Sequence, residues 1–456
     1  MEVRSKEDLI RYFVDGAKPR SKWRVGTEYE SVVVSTRTGA ALPYSGLQGV
    51  EGMLRTLAER FGYEVAEEEG RVLALVGPRS SITLEPGAQV ELSGEQCETI
   101  HCAHREFAEF VQRLTEVARQ FDATLIGLGM QPVSKLEQIE LIPKARYHIM
   151  FPYMARKGRL GQRMMKQTAG VQANLDYSNE ADAMRKLRLS AGLVPLLYAI
   201  FANSPLSDGG LNGYQSFRGH IWLETDPDRC GVPEFLFRDG ASFEDYTDYA
   251  LDVPMYFLVR DHRYIDLTQP PGLTFRQFLR NGWNGERATL GDWGTHLTTI
   301  FTEVRLKRYI EIRCADSQPP SLILALPALL KGVLCDPDAM EAAWDLVKHW
   351  SFEQRLALTD MAHKVGLETR VGRTRLRDLA GELLEIGAAS LARAGALNER
   401  GEDESVYVYP MLELVRSGRN QAMLTVERWK GRWNYQVNRM LRDCSYEADP
   451  SFVNAS

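Results

Sequence analysis

The stretch Ile82-Thr83-Leu84-Glu85-Pro86-Gly87-Ala88-Gln89-Val90-Glu91-Leu92-Ser93 decides the fold. Read with a period of two, Ile82, Leu84, Ala88, Val90 and Leu92 share one face, with Pro86 among them. Thr83, Glu85, Gly87, Gln89, Glu91 and Ser93 share the other. That alternation predicts a strand with an apolar back and an acidic front. Pro86-Gly87 interrupts it and marks a bulge or a turn of direction. Carboxylates about 7 Å apart along one strand face repel each other unless cations sit between them. Hard divalent ions, Mg²⁺ or Mn²⁺, take such oxygen ligands. The plainer reading is an exposed polar strand face, and the choice between the two rests on the rest of the chain.

Three further stretches repeat the pattern. In Val25-Gly26-Thr27-Glu28-Tyr29-Glu30, which runs into Ser31-Val32-Val33-Val34, Glu28 and Glu30 share one face and Val25, Thr27 and Tyr29 the other. In Gly170-Val171-Gln172-Ala173-Asn174-Leu175-Asp176-Tyr177, the polar face carries Gln172, Asn174 and Asp176. Between Glu303 and Arg313 the residues Glu303, Arg305, Lys307, Glu311 and Arg313 alternate onto one face, with Tyr309 among them. Val304, Leu306, Ile310 and Ile312 lie behind. Four such strands call for an antiparallel sheet with helices on its apolar side and a wet cleft on the other. A cleft with many carboxylates and a few arginines suits metal ions together with an anionic substrate. A nucleoside triphosphate combines both needs, and an arginine can also hold a substrate carboxylate in a bidentate fork.

The remaining residues bound the problem. The chain has 456 residues, a net charge of −6 and a pI near 5.9, so no basic field invites nucleic acid or an anionic membrane. No apolar run is long enough to predict a membrane-spanning helix. The N-terminal MEVRSKEDLIRYF reads as an amphipathic helix and not as a signal peptide. Six cysteines in this length make no disulfide framework and fit a reducing cytoplasm. Cys97, His101, Cys102 and His104 cluster, but at no standard zinc spacing, so a helix with partly buried Cys and His is expected there. No phosphate-binding GxxxxGK[ST] loop occurs, and Gly127-Leu128-Gly129 is only half of a dinucleotide fingerprint. Helices are expected at 6–15, 47–61, 95–117 and 180–202, a hairpin at 63–68 and 71–76, and strands at 123–129 and 253–260. Residues 218–226 read as extended. The basic, Met-rich segment 145–166 reads either as a lid that binds anions or as a solvated helix pair. From Pro319 the pattern is helical, over about 321–335, 337–349, 351–364, 374–395, 407–417 and 420–442. Residues 1–320 are thus expected to form the sheet core, with 321–456 a helical region packed on the same domain.

In order along the chain, the motifs are VGTEYE at 25–30, ITLEPGAQVELSG at 82–94, VQANLDY at 171–177 and FANSPLSDG at 201–209. RGHIWLETD at 218–226, YALDVPMYF at 249–257 and HLTTIFTEVRLKRYIEIRCAD at 296–316 follow. With these motifs the sequence resembles the glutamate–cysteine ligases (γ-glutamylcysteine synthetases) of plant and proteobacterial type. The resemblance implies an α+β, glutamine-synthetase-like fold: a curved antiparallel sheet forming a funnel, backed by helices. It implies a reaction in which ATP phosphorylates the γ-carboxylate of L-glutamate and the amine of L-cysteine displaces the phosphate, the first step of glutathione synthesis. It also implies roles for the polar faces. Glu28, Glu30, Glu85, Glu91 and Glu311 would ligate Mg²⁺ or Mn²⁺. Gln172, Asn174 and Lys307 would support the nucleotide or a metal, and Arg305 and Arg313 would bind the glutamate carboxylates or the moving phosphoryl group. His220 or a carboxylate could take the proton of the amine.

The expected partners are the small molecules L-glutamate, L-cysteine and ATP, with no nucleic acid and no membrane, in a cytoplasmic monomer or homodimer. Lys166-Gln167-Thr168-Ala169-Gly170 replaces the Arg-Thr-Cys-Thr run of the family, and Cys314-Ala315-Asp316-Ser317-Gln318-Pro319 replaces Gly-Ala-Asp-Gly-Gly-Pro. Both changes bear on the acceptor, so a related carboxylate–amine ligase that uses another amine is the alternative. A non-catalytic relative would lose carboxylates from the cleft, and all five are present.

Overall fold

The computed structural model describes residues 2–449. Among them, nine strands form one antiparallel sheet. Its centre is β1 (Val25–Ser35), with β2 (Glu64–Glu68), β3 (Arg71–Val76), β4 (Ser81–Leu84) and β5 (Val90–Ser93) on one side. On the other side lie β7 (Gly170–Leu175), then the strands Ile310–Asp316 and Val304–Leu306. The far half of β1 pairs with β6 (Ala123–Ile126).

The apolar backs close onto helices. The ring of Tyr29 of β1 packs against that of Phe107 of α3 (Ile100–Ala118), 4.7 Å between centres. Val25, Val33, Leu84, Val90, Leu92, Val171, Ile310 and Ile312 belong to one continuous core. The 22-residue α6 (Glu180–Phe201) is buried on nearly every side, because it runs between the sheet and the C-terminal helices Phe352–Val365 and Leu376–Ala394. A helix covered all round carries no amphipathic stripe. Even Lys186 is buried, its ammonium 2.8 Å from the Asp176 carbonyl and 3.5 Å from the Trp23 ring centre.

The structure settles one point that the sequence reading left open and departs from it at several others. At Pro86-Gly87, read as a bulge or a turn of direction, the structure has the turn: residues 82–93 form the hairpin β4–β5, with Thr83 opposite Glu91 and Ile82 opposite Leu92. The reversal falls at Glu85–Gln89, closed by the Glu85 amide donating to the Gln89 carbonyl at 2.9 Å. The two-residue face pattern survives the reversal because cross-strand partners in an antiparallel pair share a face. Gly87 is required at that turn: a Cβ there would lie 2.3 Å from the carbonyl oxygen of Lys166. Gly87→Ala is therefore expected to lower stability by about 1–3 kcal/mol through overpacking and to shift Glu85. Thermal unfolding of the variant checks this, and an unchanged midpoint would count against the close approach.

Residues 218–226 are not extended. Phe217–Leu223 form the short helix α7, capped by the Ser216 side chain, which accepts from the Gly219 amide. Ser216 is itself held by Asp316 of the last long strand, so a tertiary contact sets the cap. Helix α3 starts at Ile100 and not at 95, and Cys97 and Cys102 are joined in a disulfide, against the expectation of free thiols. His101 is occupied by the Tyr407 hydroxyl and the Ala396 carbonyl. In the C-terminal region Arg370–Val371 and Thr374–Arg375 pair as a small hairpin, and the expected helix 420–442 is two helices, Gln421–Lys430 and Val437–Cys444. No helix among the described residues is long and apolar enough to cross a membrane.

Candidate active site

Antiparallel register gathers the polar residues into rows that cross the sheet. Thr83, Glu91 and Glu30 stand side by side on β4, β5 and β1. Ser93, Glu28 and Gln172 form the next row. Gly26, Asn174, Glu311 and Arg305 form the third. Each carboxylate is oriented by its neighbours. Glu30 accepts from the Gly170 amide at 2.5 Å and from the Gln172 side chain at 3.2 Å. Glu28 accepts from Asn174 at 3.0 Å, and Glu91 accepts from Thr83 at 2.9 Å and Ser93 at 2.7 Å. Glu85 is carried by the β4–β5 turn. Gln89 anchors that turn by donating to the Met165 and Thr168 carbonyls at the end of α5 (Gly161–Gln167).

Of these, Glu28, Glu30, Thr83, Glu85, Gln89, Glu91, Gln172 and Arg305 line a cleft of 280 Å³, and Glu311 does not. The rest of its lining includes Arg313 of the sheet strand Ile310–Asp316 and, from outside the sheet, Lys144 and, on α4 (Ala145–Lys157), Arg146, Tyr147 and Met150, together with Met164 and Met165 of α5, Trp222, Thr298 and Phe301. The basic, Met-rich segment is thus a wall of the cleft. Arg146 and Lys144 are the cationic residues that the sequence reading did not single out. The one signal for them was the basic character of the segment, which does not tell a wall from a solvated helix. The Nε of Arg146 is buried with no hydrogen-bond partner, as a group awaiting an anion is. Arg313 donates to Gln172 at 2.6 Å and lies beside the Trp222 and Phe301 rings.

Burial and like charge together raise the carboxylates. Burial, then Glu311 and Glu91, pushes Glu28 up from the usual 4.5 to about 7. Burial, then Glu85, pushes Glu30 up to about 8. Glu85 and Glu91 move the same way, chiefly by burial. Glu311 goes the other way. Burial opposes its charge, but Arg305, Lys307 and Arg313 hold it far below the usual carboxylate range. Four close acidic groups that cannot all ionise unaided form a site with unmet demand for positive charge.

Not every expected residue faces the cleft. Glu303 turns to the helical side and accepts from the Tyr198 hydroxyl of α6 at 2.8 Å, because the strand breaks at this residue. Arg305 lines the cleft, but its guanidinium is committed to Glu311 and to the carbonyls of Thr298 and Ile300. His220 is not a cleft residue; its ring stacks on Tyr214 at 4.5 Å. A second cavity, of 190 Å³, shares Glu28 with the first and is lined by Lys18, Arg24, Gln96, Asn174, Asp176 and Tyr309 among others. Lys307 sits 3.6 Å from Glu311.

Residues 24–441 match the model of Glutamate-cysteine ligase family 2. The chain is 40% identical over 448 residues to a chloroplastic glutamate–cysteine ligase of Medicago truncatula, covering 98% of this chain and 86% of that one. It is 40% identical to the chloroplastic enzyme of Arabidopsis thaliana, covering 98% and 84%. Among solved structures it resembles a glutamate–cysteine ligase of Francisella tularensis in complex with AMP, with a TM-score of 0.57 at 15% identity, over 94% of this chain and 89% of that one. That likeness places the sheet in the glutamine-synthetase-like fold. The expectation of a cytoplasmic protein is overturned, since the similar plant enzymes are chloroplastic.

Proposed function

This chain belongs to Glutamate-cysteine ligase family 2, and from that premise we propose that the carboxylate-lined cleft is where ATP, L-glutamate and L-cysteine react. The activity is ATP-dependent ligation of glutamate to cysteine, a C–N bond-forming step of glutathione synthesis. The observation that carries the assignment to this cleft is the convergence of carboxylates and cations on it. Glu28, Glu30, Glu91 and Arg313 stand on the sheet and Glu85 on its β4–β5 turn, and Lys144 and Arg146 line the same cleft from outside the sheet.

The donor set fits Mg²⁺ or Mn²⁺. It is all oxygen, and its carboxylates are raised in pKa by burial and then by mutual repulsion, which a hard divalent ion relieves. Glu28, Glu30, Glu85 and Glu91 would hold the ions. A divalent cation held by these carboxylates would supply positive charge to offset that developing on the transferring phosphoryl group. Glu311, with three cations around it, is better placed to fix Arg305, Lys307 and Arg313 than to ligate a metal. The nucleotide reaches Glu28 from the second cavity, past Asn174, Tyr309, Lys18 and Arg24.

In the first half of the reaction a γ-carboxylate oxygen of glutamate attacks the γ-phosphorus of ATP, and ADP leaves. Arg146 and Arg313 hold the anionic groups in line, which is most of what phosphoryl transfer asks of a protein. In the second half the neutral amine of cysteine attacks the γ-carbonyl carbon, phosphate leaves with its bonding pair, and the amine gives up a proton. Met150, Met164 and Met165 supply an apolar, polarisable surface suited to a thiol.

The direct test is phosphate release from Mg-ATP by the purified protein with L-glutamate, with and without L-cysteine, then with a panel of other amines. Release with cysteine, and γ-glutamylcysteine detected by mass, is the expected result. Release only with another amine would retain the chemistry and change the acceptor. No release with any combination would remove the catalytic reading.

A pH prediction follows from the carboxylates. The folded values of Glu28 and Glu30 lie above those of unfolded carboxyls, so the native state binds more protons between about pH 4.5 and 8. Their contribution to the stability of the metal-free protein is present at the acid end of that window and is lost as pH rises through it. Mg²⁺ takes over from the protons. Added Mg²⁺ is expected to raise the unfolding midpoint clearly at pH 8 and little at pH 6, where protons compete for the same oxygens. An equal effect at both pH values would contradict the assigned ligands.

A further inference from the structure

A cavity of 370 Å³ lies on the other flank of α6, bounded by the turn Glu234–Phe237 and the helix Pro337–Val347. It shares no lining residue with the catalytic cleft. Its floor is apolar, formed by Leu236, Met340 and the Trp344 ring, and its rim carries Arg185, Arg188 and Arg238. That volume falls in the lower range for small-molecule pockets, and the mix of an apolar bed with a few convergent polar groups is typical of them.

The charges around this cavity are not balanced. Arg238 is paired with Asp245. Arg185 reaches only the Pro337 carbonyl, at 3.4 Å. Arg188 has Asp239 at 3.2 Å, but that side chain is 98% exposed, so solvent weakens the pair. The Nε of Arg188 is buried with no hydrogen-bond partner. The Arg188 guanidinium lies 4.9 Å from the Trp344 ring centre, and that of Arg355 lies 5.5 Å from the same centre. Arg355 is buried and bonded only to the carbonyls of Val347 and Gly192. Burial and Arg188 push its pKa down to about 10. Two guanidinium groups thus share one indole, with no buried carboxylate between them among the described residues. The carboxylate in the cavity lining, Glu341, is exposed.

We propose that this cavity is a second ligand site, for a small anion bearing a compact apolar body. A carboxylate or phosphate monoester would be forked by Arg185 and Arg188, with its body on Met340, Leu236 and Trp344. The anion supplies the negative charge that the pair of guanidinium groups lacks, and the apolar floor selects against bare inorganic anions.

Calorimetric titration of the full chain with phenyl phosphate and with indole-3-acetate distinguishes the two anion types. Inorganic phosphate and indole serve as the two half-ligand controls. At least one of the two amphipathic anions is expected to bind one-to-one, at least tenfold more tightly than either control. Arg188→Gln, and independently the exposed Arg185→Gln, should weaken that binding at least tenfold. Arg146→Ala, in the catalytic cleft, should leave it unchanged. Saturable binding by neither anion would overturn the site. So would binding that survives both rim variants, or binding that is lost in Arg146→Ala, which would place the probe in the cleft.

Discussion

Glu30→Gln is expected to lower ATP-dependent phosphate release by at least about 10³-fold while making the metal-free protein more stable at pH 8. The two effects have one cause. Glu30 is buried, held by the Gly170 amide and Gln172, and faces Glu85 and Glu91. Its negative charge is costly in the metal-free protein, and in the proposed role a bound cation offsets that cost. A neutral amide keeps the shape and an acceptor for the Gly170 amide, and it removes the repulsion. Losing one preorganised charged group from a dry site costs about 10²–10³ in rate. Losing a metal-binding carboxylate adds to that. Rate and unfolding midpoint, measured on the same preparation, check both halves. Turnover within tenfold of the parent would take Glu30 out of the reaction, and a lowered midpoint would mean that its charge is already neutralised within the protein.

Arg305→Ala has the largest expected effect on stability, a loss of about 3–5 kcal/mol, because it breaks a buried ion pair from one side. Glu311 is 1% exposed and ion-paired to Arg305, with Lys307 and Arg313 farther off at 3.6 Å. Removing Arg305 strands this carboxylate and also leaves the Thr298 and Ile300 carbonyls without their donor. Arg305→Lys is expected to recover only part of the loss, since an ammonium cannot span Glu311 and two carbonyls at once. Denaturant unfolding measures the difference. A change below about 1 kcal/mol would show that Lys307 and Arg313 suffice to balance Glu311.

The catalytic face was legible because period-two alternation is a local property. Glu28 with Glu30, Glu91 across from Thr83, and Gln172 with Asn174 all stand on the expected sheet face. Glu303 was misplaced by the same rule. One break in the strand reverses the parity of what precedes it, and no local pattern announces the break. Arg146 and Lys144 were passed over individually because a basic helix reads the same whether its charges meet solvent or a carboxylate-lined cleft. Residues 218–226 were read as extended because so short a segment, nine residues, fits either period. Their helix depends on Ser216, which Asp316 holds from a strand about a hundred residues away in the chain.

By itself the sequence determined the sheet, its two-sided chemistry and the family, since side-chain alternation and motif order require no knowledge of distant contacts. The tertiary structure decided which charges are available. Arg305 and Glu311 satisfy one another, whereas Arg146 and Arg313 look into the cleft. Glu28 and Glu30 are raised because burial removes water and the fold brings Glu311 near the first and Glu85 near the second, with Glu91 near both. The arginine-rimmed cavity behind α6 was likewise invisible in the sequence. Arg188 and Arg355 are 167 positions apart, and only packing brings both guanidinium groups to Trp344. Coulomb energy and desolvation depend on distances through space, and chain order fixes those only between near neighbours.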